Sequence, residues 1–152
     1  MFADLIRRLS APAPAALPDT DARRALAAIL VRVARADGDY ATAERDRIDR
    51  VLAVRHGLTP FEAARLRAEA EVLESEAPDT VRFTRALKDA VALEDRKALI
   101  ESLWDVALAD GRRSNDEDNA MRLIANLLGL ADVESGLARQ RIEARNGRRA
   151  GA

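Results

Sequence analysis

A shift of 73 positions lays the segment ALAAILVRVARADGDYATAE (Ala25 to Glu44) over ALIESLWDVALADGRRSNDE (Ala98 to Glu117). Identical residues meet at Ala25/Ala98, Leu26/Leu99, Leu30/Leu103, Val33/Val106, Ala34/Ala107, Ala36/Ala109, Asp37/Asp110, Gly38/Gly111 and Glu44/Glu117. Further on Ile48 meets Met121, Val51 meets Ile124 and, after one residue of slippage, Gly57-Leu58 meets Gly129-Leu130. The halves read as two copies of one supersecondary unit, each burying its apolar face against the other. Each copy is helix, Ala-Asp-Gly turn, helix, Gly-Leu, helix. A further helical segment at 79–92 joins them.

Alanine fills 32 positions and leucine 19, while aromatics make up only 3%, so strong helix formers dominate and the expected class is all-α. The pattern predicts helices near 20–37, 42–56, 60–75, 79–92, 94–110, 115–128 and 132–145, a compact bundle of about seven helices with an internal pseudo-two-fold repeat. Thr59-Pro60-Phe61-Glu62 combines an N-cap threonine, a first-turn proline and a capping-box glutamate. Ser114 and Glu117 form the same box without proline, and Gly57 and Gly129 stand where a left-handed residue ends a helix. Residues 1–10 read as a short amphipathic helix with Phe2, Leu5, Ile6 and Leu9 on one side; residues 11–19, with Pro12, Pro14 and Pro18, read as an extended linker. The helical domain spans 20–145, and 146–152 reads as a flexible tail.

Without cysteine there is neither a disulfide framework nor a thiolate metal site, and no apolar run reaches the length of roughly 20 residues that a spanning helix needs. No secretory leader is recognisable in residues 1–10, so the expected location is the cytoplasm. A net charge of -1 argues against chain-wide attraction to nucleic acid or an anionic membrane. Arg outnumbers Lys 23 to 2, a ratio that genomic base composition explains as readily as guanidinium chemistry.

The informative carboxylates are the repeated ones. Leu26, Leu30, Val33 and Asp37 step by four, three and four, as do Leu99, Leu103, Val106 and Asp110, so both aspartates continue the apolar stripe of their helix. Glu44 and Glu117 each begin the stripe of the next. Both aspartates also fall at helix C-termini, where the macrodipole opposes an anion by about 0.3 to 1 kcal/mol. Three compensations are open. Local capping suits Glu117, which has Ser114 three residues before it; Glu44 has Ala41 there, which lacks a side-chain oxygen. Ion pairing could come from Arg35, Arg45, Arg47, Arg112 or Arg113, all at positions that read as outward. The third is a divalent cation: four carboxylates without sulfur make an all-oxygen site suited to Ca²⁺, Mg²⁺ or Mn²⁺.

A duplicated Ala-Asp-Gly followed six residues later by Glu, within an all-helical domain, resembles the TerB-like family over about residues 21–130. The resemblance implies a seven-helix bundle with internal pseudo-symmetry and an acidic, metal-binding centre linked to tellurite and other stress responses. Its acidic positions fall here on Asp37, Glu44, Asp110 and Glu117, with Asp39, Asp116 and Asp118 flanking. The family also includes the N-terminal region of the DjlA co-chaperone, but no transmembrane segment and no His-Pro-Asp triplet is present here, so that architecture is not matched.

Other constellations carry less. Asp37-Gly38-Asp39 lacks the glycine and glutamate spacing of an EF-hand. His56 reads as a partner of its helix C-terminus and Trp104 as core or groove lining. There is no phosphate-binding glycine loop and no nucleophile paired with a usable histidine. The expectation is a non-enzymatic metal-binding or protein-interaction module with an unidentified protein partner. A metal-independent scaffold and a metal-dependent hydrolase stand as rivals.

Overall fold

A computed structural model of the chain describes residues 2–10, 19–36, 38, 40–77, 79, 84–85, 88, 93–109 and 115–151, with backbone alone at 8–10, 19–20, 93–94, 115–117 and 148–151. Among the described residues seven α-helices and no strand are present: α1 (Ala3–Ser10), α2 (Asp19–Ala34), α3 (Thr42–His56), α4 (Pro60–Glu76), α5 (Leu93–Ala107), α6 (Asn115–Leu127) and α7 (Asp132–Gly151). The predicted helix at 79–92 falls mostly outside them, with helical backbone at 84–85 and 88. Of the linker read at 11–19, residues 11–18 lie outside the described residues, and Asp19 opens α2 as helix.

α2 is the central element. From Ala25 to Val31 no residue exceeds 5% exposure, and Val33 and Ala34 are at 0%. A helix apolar on every side must be surrounded, and α2 packs against α3, α4, α5 and α6. Alanine lets this happen: Ala27, Ala28 and Ala34 on α2, with Ala63 and Ala70 on α4, are all at 0% exposure and let the helices approach closely. Branched residues between them supply the apolar area. Each fully buried Leu or Ile is worth about 1.5 to 3 kcal/mol, and the largest such residues include Leu30, Ile48, Leu52, Leu99 and Leu103.

The helix pairs in contact follow a simple rule. α2 packs on α4 and α3 on α4; α5 packs on α7 and α6 on α7; α2 also touches α3, and α5 touches α6. The two sets meet through α2 with α5, α3 with α5 and α2 with α6. Exchanging α2, α3, α4 for α5, α6, α7 leaves this list unchanged. The stripe residues matched at 73 positions are buried in both places: Leu26 and Leu99, Leu30 and Leu103, Val33 and Val106, Ile48 and Met121.

Helix ends repeat as well. α2 stops as an α-helix at Ala34, three residues short of the predicted end, because the chain tightens: Ala36 N–H reaches the Val33 carbonyl at 3.1 Å and Gly38 N–H that of Arg35 at 3.0 Å. Ala109 N–H to the Val106 carbonyl, 3.1 Å, is the matched contact after α5. Gly57 and Gly129 have φ of 63° and 83°, a left-handed conformation that costs a side-chain-bearing residue roughly 1 to 2 kcal/mol. Each is followed by a leucine whose N–H bonds five residues back, Leu58 to Ala53 at 3.0 Å and Leu130 to Ala125 at 2.9 Å, which is the Schellman pattern. The Thr59 box forms in both directions, Glu62 N–H to Thr59 Oγ1 at 3.2 Å and Thr59 N–H to Glu62 Oε1 at 3.0 Å.

One further boundary differs from the sequence reading. α7 continues past Arg145 to Gly151; the polar residues there include good helix formers, and no proline stops them. α1 lies on the body, with Phe2 and Leu5 at 6% and 4% exposure and the Phe2 ring 5.9 Å from the Arg24 guanidinium. Asp4 and Arg7 pair at 2.6 Å on its outer side.

Candidate functional site

Of the four repeated carboxylates, Glu44 is the one whose side chain is described. It occupies the first turn of α3 and is at 0% exposure, below Ile48 and Leu52 on the same buried face. The inward direction read from its spacing therefore holds for this residue. Glu44 Oε1 accepts the Ala41 N–H at 3.2 Å, half of a capping box, and Ala41 supplies no oxygen for the other half. The sequence argument that Ala41 weakens capping is thus corrected in part: the glutamate caps regardless, using one of its two oxygens. Glu117 is the third residue of α6, with backbone placement only. Asp37, Asp110 and the flanking Asp39 lie outside the described residues.

Of the five arginines that sequence reasoning offered as counter-ions, Arg35, Arg45 and Arg47 have partners elsewhere. Arg35 pairs with Glu74 at 2.7 Å and stands over the Tyr40 ring at 5.1 Å; Arg45 covers the same ring at 4.7 Å. Between them the Tyr40 phenol is pushed up to about 12, first by burial and then by the Glu71 carboxylate. Arg47, expected outward, is only 16% exposed and bonds Asp105 on α5. Arg112 and Arg113 lie outside the described residues.

Asp105 is the charged residue that sequence reasoning missed. It is 8% exposed and holds Arg47 of α3 and, at 3.2 Å, Arg145 of α7, so one carboxylate ties three helices. The available signal was an aspartate inside the otherwise apolar stretch Leu103 to Leu108. Interhelical ion pairs also reverse polarity between the halves. On α2 and α4 the bases lie on α2, with Arg24 to Glu69 at 3.0 Å and Arg32 to Glu74 at 3.4 Å. On α5 and α7 the principal acids lie on α5, with Glu101 to Arg141 at 2.7 Å alongside Asp105 to Arg145.

Trp104 is 5% exposed, its Nε1–H donating to Ser135 Oγ at 3.1 Å, so it lines the core as expected. His56 ends α3 with Nε2 buried and no partner for it among the described residues. Burial, with Arg23 and Arg55 nearby, holds its imidazole below the usual value, which opposes the protonated helix-end role read from sequence. Phe61, at 76% exposure, belongs to the surface. Among the described residues no group of three or more His, Cys, Asp or Glu is placed to hold a metal ion, and the side chains of Asp37, Asp110 and Glu117 are not among those described.

Seven helices without a strand among the described residues, the Ala-Asp-Gly spacing and a buried glutamate opening the helix after the first such turn define a small all-α module. The family profile described as tellurite resistance protein TerB matches residues 23–140, and the chain belongs to that family. No curated protein and no solved structure matches it. Among the described residues no helix is long and apolar enough to cross a membrane.

Proposed function

We propose that this TerB-family chain is a non-enzymatic module that takes a divalent cation, Ca²⁺, Mg²⁺ or Mn²⁺, between Asp37, Glu44, Asp110 and Glu117, and acts in the cytoplasm in a tellurite or metal stress response or through a protein partner. The observation that carries the reading is the complete burial of Glu44 at the opening of α3, at a position the repeat duplicates as Glu117. A buried carboxylate is costly unless hydrogen bonds or a cation offset the lost hydration. An all-oxygen donor set fits a hard ion, whose charge would also relieve the dipole penalty on the two aspartates. The ion would join the two units at their repeated turns and supply structural charge.

Calorimetric titration of the full chain with each ion tests this. Saturable heat that disappears in Glu44→Gln supports the site; absence of heat with every ion removes it. The specific rival is the metal-independent scaffold, favoured by the Ala41 N–H bond that Glu44 Oε1 accepts. Under that reading Glu44→Gln, which keeps an acceptor oxygen, leaves stability unchanged with and without metal.

A further inference from the structure

α3 and α5 pack side by side, and with Arg145 of α7 they frame a groove of about 330 Å³. Its apolar lining is Val51, Val54 and Ala98, and its basic lining is Arg50, Arg55 and Arg145. The two carboxylates on the wall are already engaged, Glu101 by Arg141 and Asp105 by Arg47 and Arg145. Arg50 and Arg55 form no ion pair among the described residues, and Arg145 Nε is buried without an acceptor among them. Five arginines thus stand on or against this groove with two acids between them, leaving a positive excess over an apolar floor. Val54 is 82% exposed at its rim.

The matched face in the other half is closed. Ala25, Ala28 and Ile29, which correspond to Ala98, Glu101 and Ser102, are at 0%, 0% and 1% exposure, and Ile124, which corresponds to Val51, is at 0%. Ala98 is exposed and Glu101 and Ser102 are half-buried. One unit covers this helix-pair face with protein and the other leaves it open. A small ligand is normally enclosed over most of its surface, roughly 70 to 90%, whereas burying Val54 requires a surface that reaches over the rim. A protein segment does that.

We propose that the groove between α3, α5 and α7 is a docking site for an acidic amphipathic helix of a partner protein. Its aliphatic side chains, one helical turn apart, lie on Val51, Val54 and Ala98, and its carboxylates pair with Arg50, Arg55 and Arg145. The charge pattern sets orientation and encounter rate; the apolar contact holds the complex. The site deepens the protein-interaction part of the proposed function and is independent of the acidic centre.

The probe is a labelled helical peptide of about 16 residues with leucines along one face and glutamates flanking them, long enough to hold helix. It is titrated by fluorescence anisotropy into the full chain at low salt, with and without EDTA. Expected results are saturable binding, loss of about tenfold or more in Arg50→Glu/Arg55→Glu and in Val54→Asp, and no binding of a peptide carrying lysine in place of glutamate. Amide shifts on binding fall at residues 50–55 and 98–105. Both arginines and Val54 reach solvent, so these variants keep the fold, which circular dichroism checks. Binding that is unchanged by EDTA and by Glu44→Gln separates this proposal from the metal reading. Absence of saturable binding, binding that survives the arginine reversal, shifts elsewhere, or equal binding of a leucine-free glutamate peptide or inorganic phosphate would each overturn it.

Discussion

Replacing Asp105 by alanine removes a carboxylate that joins α3, α5 and α7. Arg47 would keep its place at 16% exposure with no counter-ion, and Arg145, 41% exposed, would turn to water. Breaking a fully buried pair by deleting one partner costs about 3 to 5 kcal/mol because an uncompensated charge stays behind. Arg145 escapes this and Arg47 retains some hydration, so the expected loss is about 2 to 3 kcal/mol. At about 2 to 4 °C per kcal/mol for a domain of this size, the melting temperature should fall by about 5 to 10 °C. The companion Arg47→Leu/Asp105→Leu removes both charges and fills the space with apolar volume. It should lie within about 1 kcal/mol of the parent, since replacing a buried pair is often neutral or better. Urea unfolding of the parent, both single variants and the double variant measures all of this. A loss below about 1 kcal/mol for Asp105→Ala, or a double variant no more stable than the singles, would refute Asp105 as a buried charge hub.

Other outcomes follow from particular residues. Gly57→Ala and Gly129→Ala each place a Cβ at positive φ, and each should lower stability by about 1 kcal/mol or more in urea unfolding. At Gly129 the nearest atom to that Cβ is Lys88 Cε at 3.5 Å, an ordinary contact, so the cost there is conformational. Burial lowers the His56 imidazole in the fold, so near pH 6.5 the unfolded chain holds more of a proton on this group than the folded one does. Stability is therefore present above that pH and declines as pH falls through it towards the depressed folded value; thermal melts of His56→Gln should show a shallower decline on the acid side. Phe2→Ala/Leu5→Ala should undock α1 at a cost of about 1 to 3 kcal/mol, with trypsin cutting sooner after Arg7 or Arg8 than in the parent.

Local chemistry explains which parts were readable in advance. The helix ends at Gly57 and Gly129 and the start at Thr59 depend on residues within one turn of each other, so composition at those positions was enough. The buried stripes of α2 and α5 follow from helical periodicity, and Glu44 follows from the stripe of α3. Arg47, Asp105 and Arg145 were not readable because they are 58 and 40 residues apart and meet only when three helices pack. Periodicity assigns a direction to a side chain without knowing whether a neighbouring helix carries an opposite charge to turn it inward. The same limit applied to His56, whose imidazole is lowered first by burial in the packed fold and then by Arg23 from another helix and by Arg55. Ala98 and Ala25 are the same residue type at matched positions, yet one is exposed and the other buried. That asymmetry belongs to packing between elements.

A thermal melt of the full chain with each of Ca²⁺, Mg²⁺ and Mn²⁺, and with EDTA, tests the metal reading most directly when run in parallel on Glu44→Gln. An ion bound only to the folded state stabilises by about 2.7 kcal/mol at a hundredfold excess over its dissociation constant. The account predicts that at least one ion raises the melting temperature by about 5 to 10 °C, that EDTA reverses the rise, and that Glu44→Gln abolishes it. A melting temperature that ignores every ion and EDTA, or a rise that persists in Glu44→Gln, would contradict it.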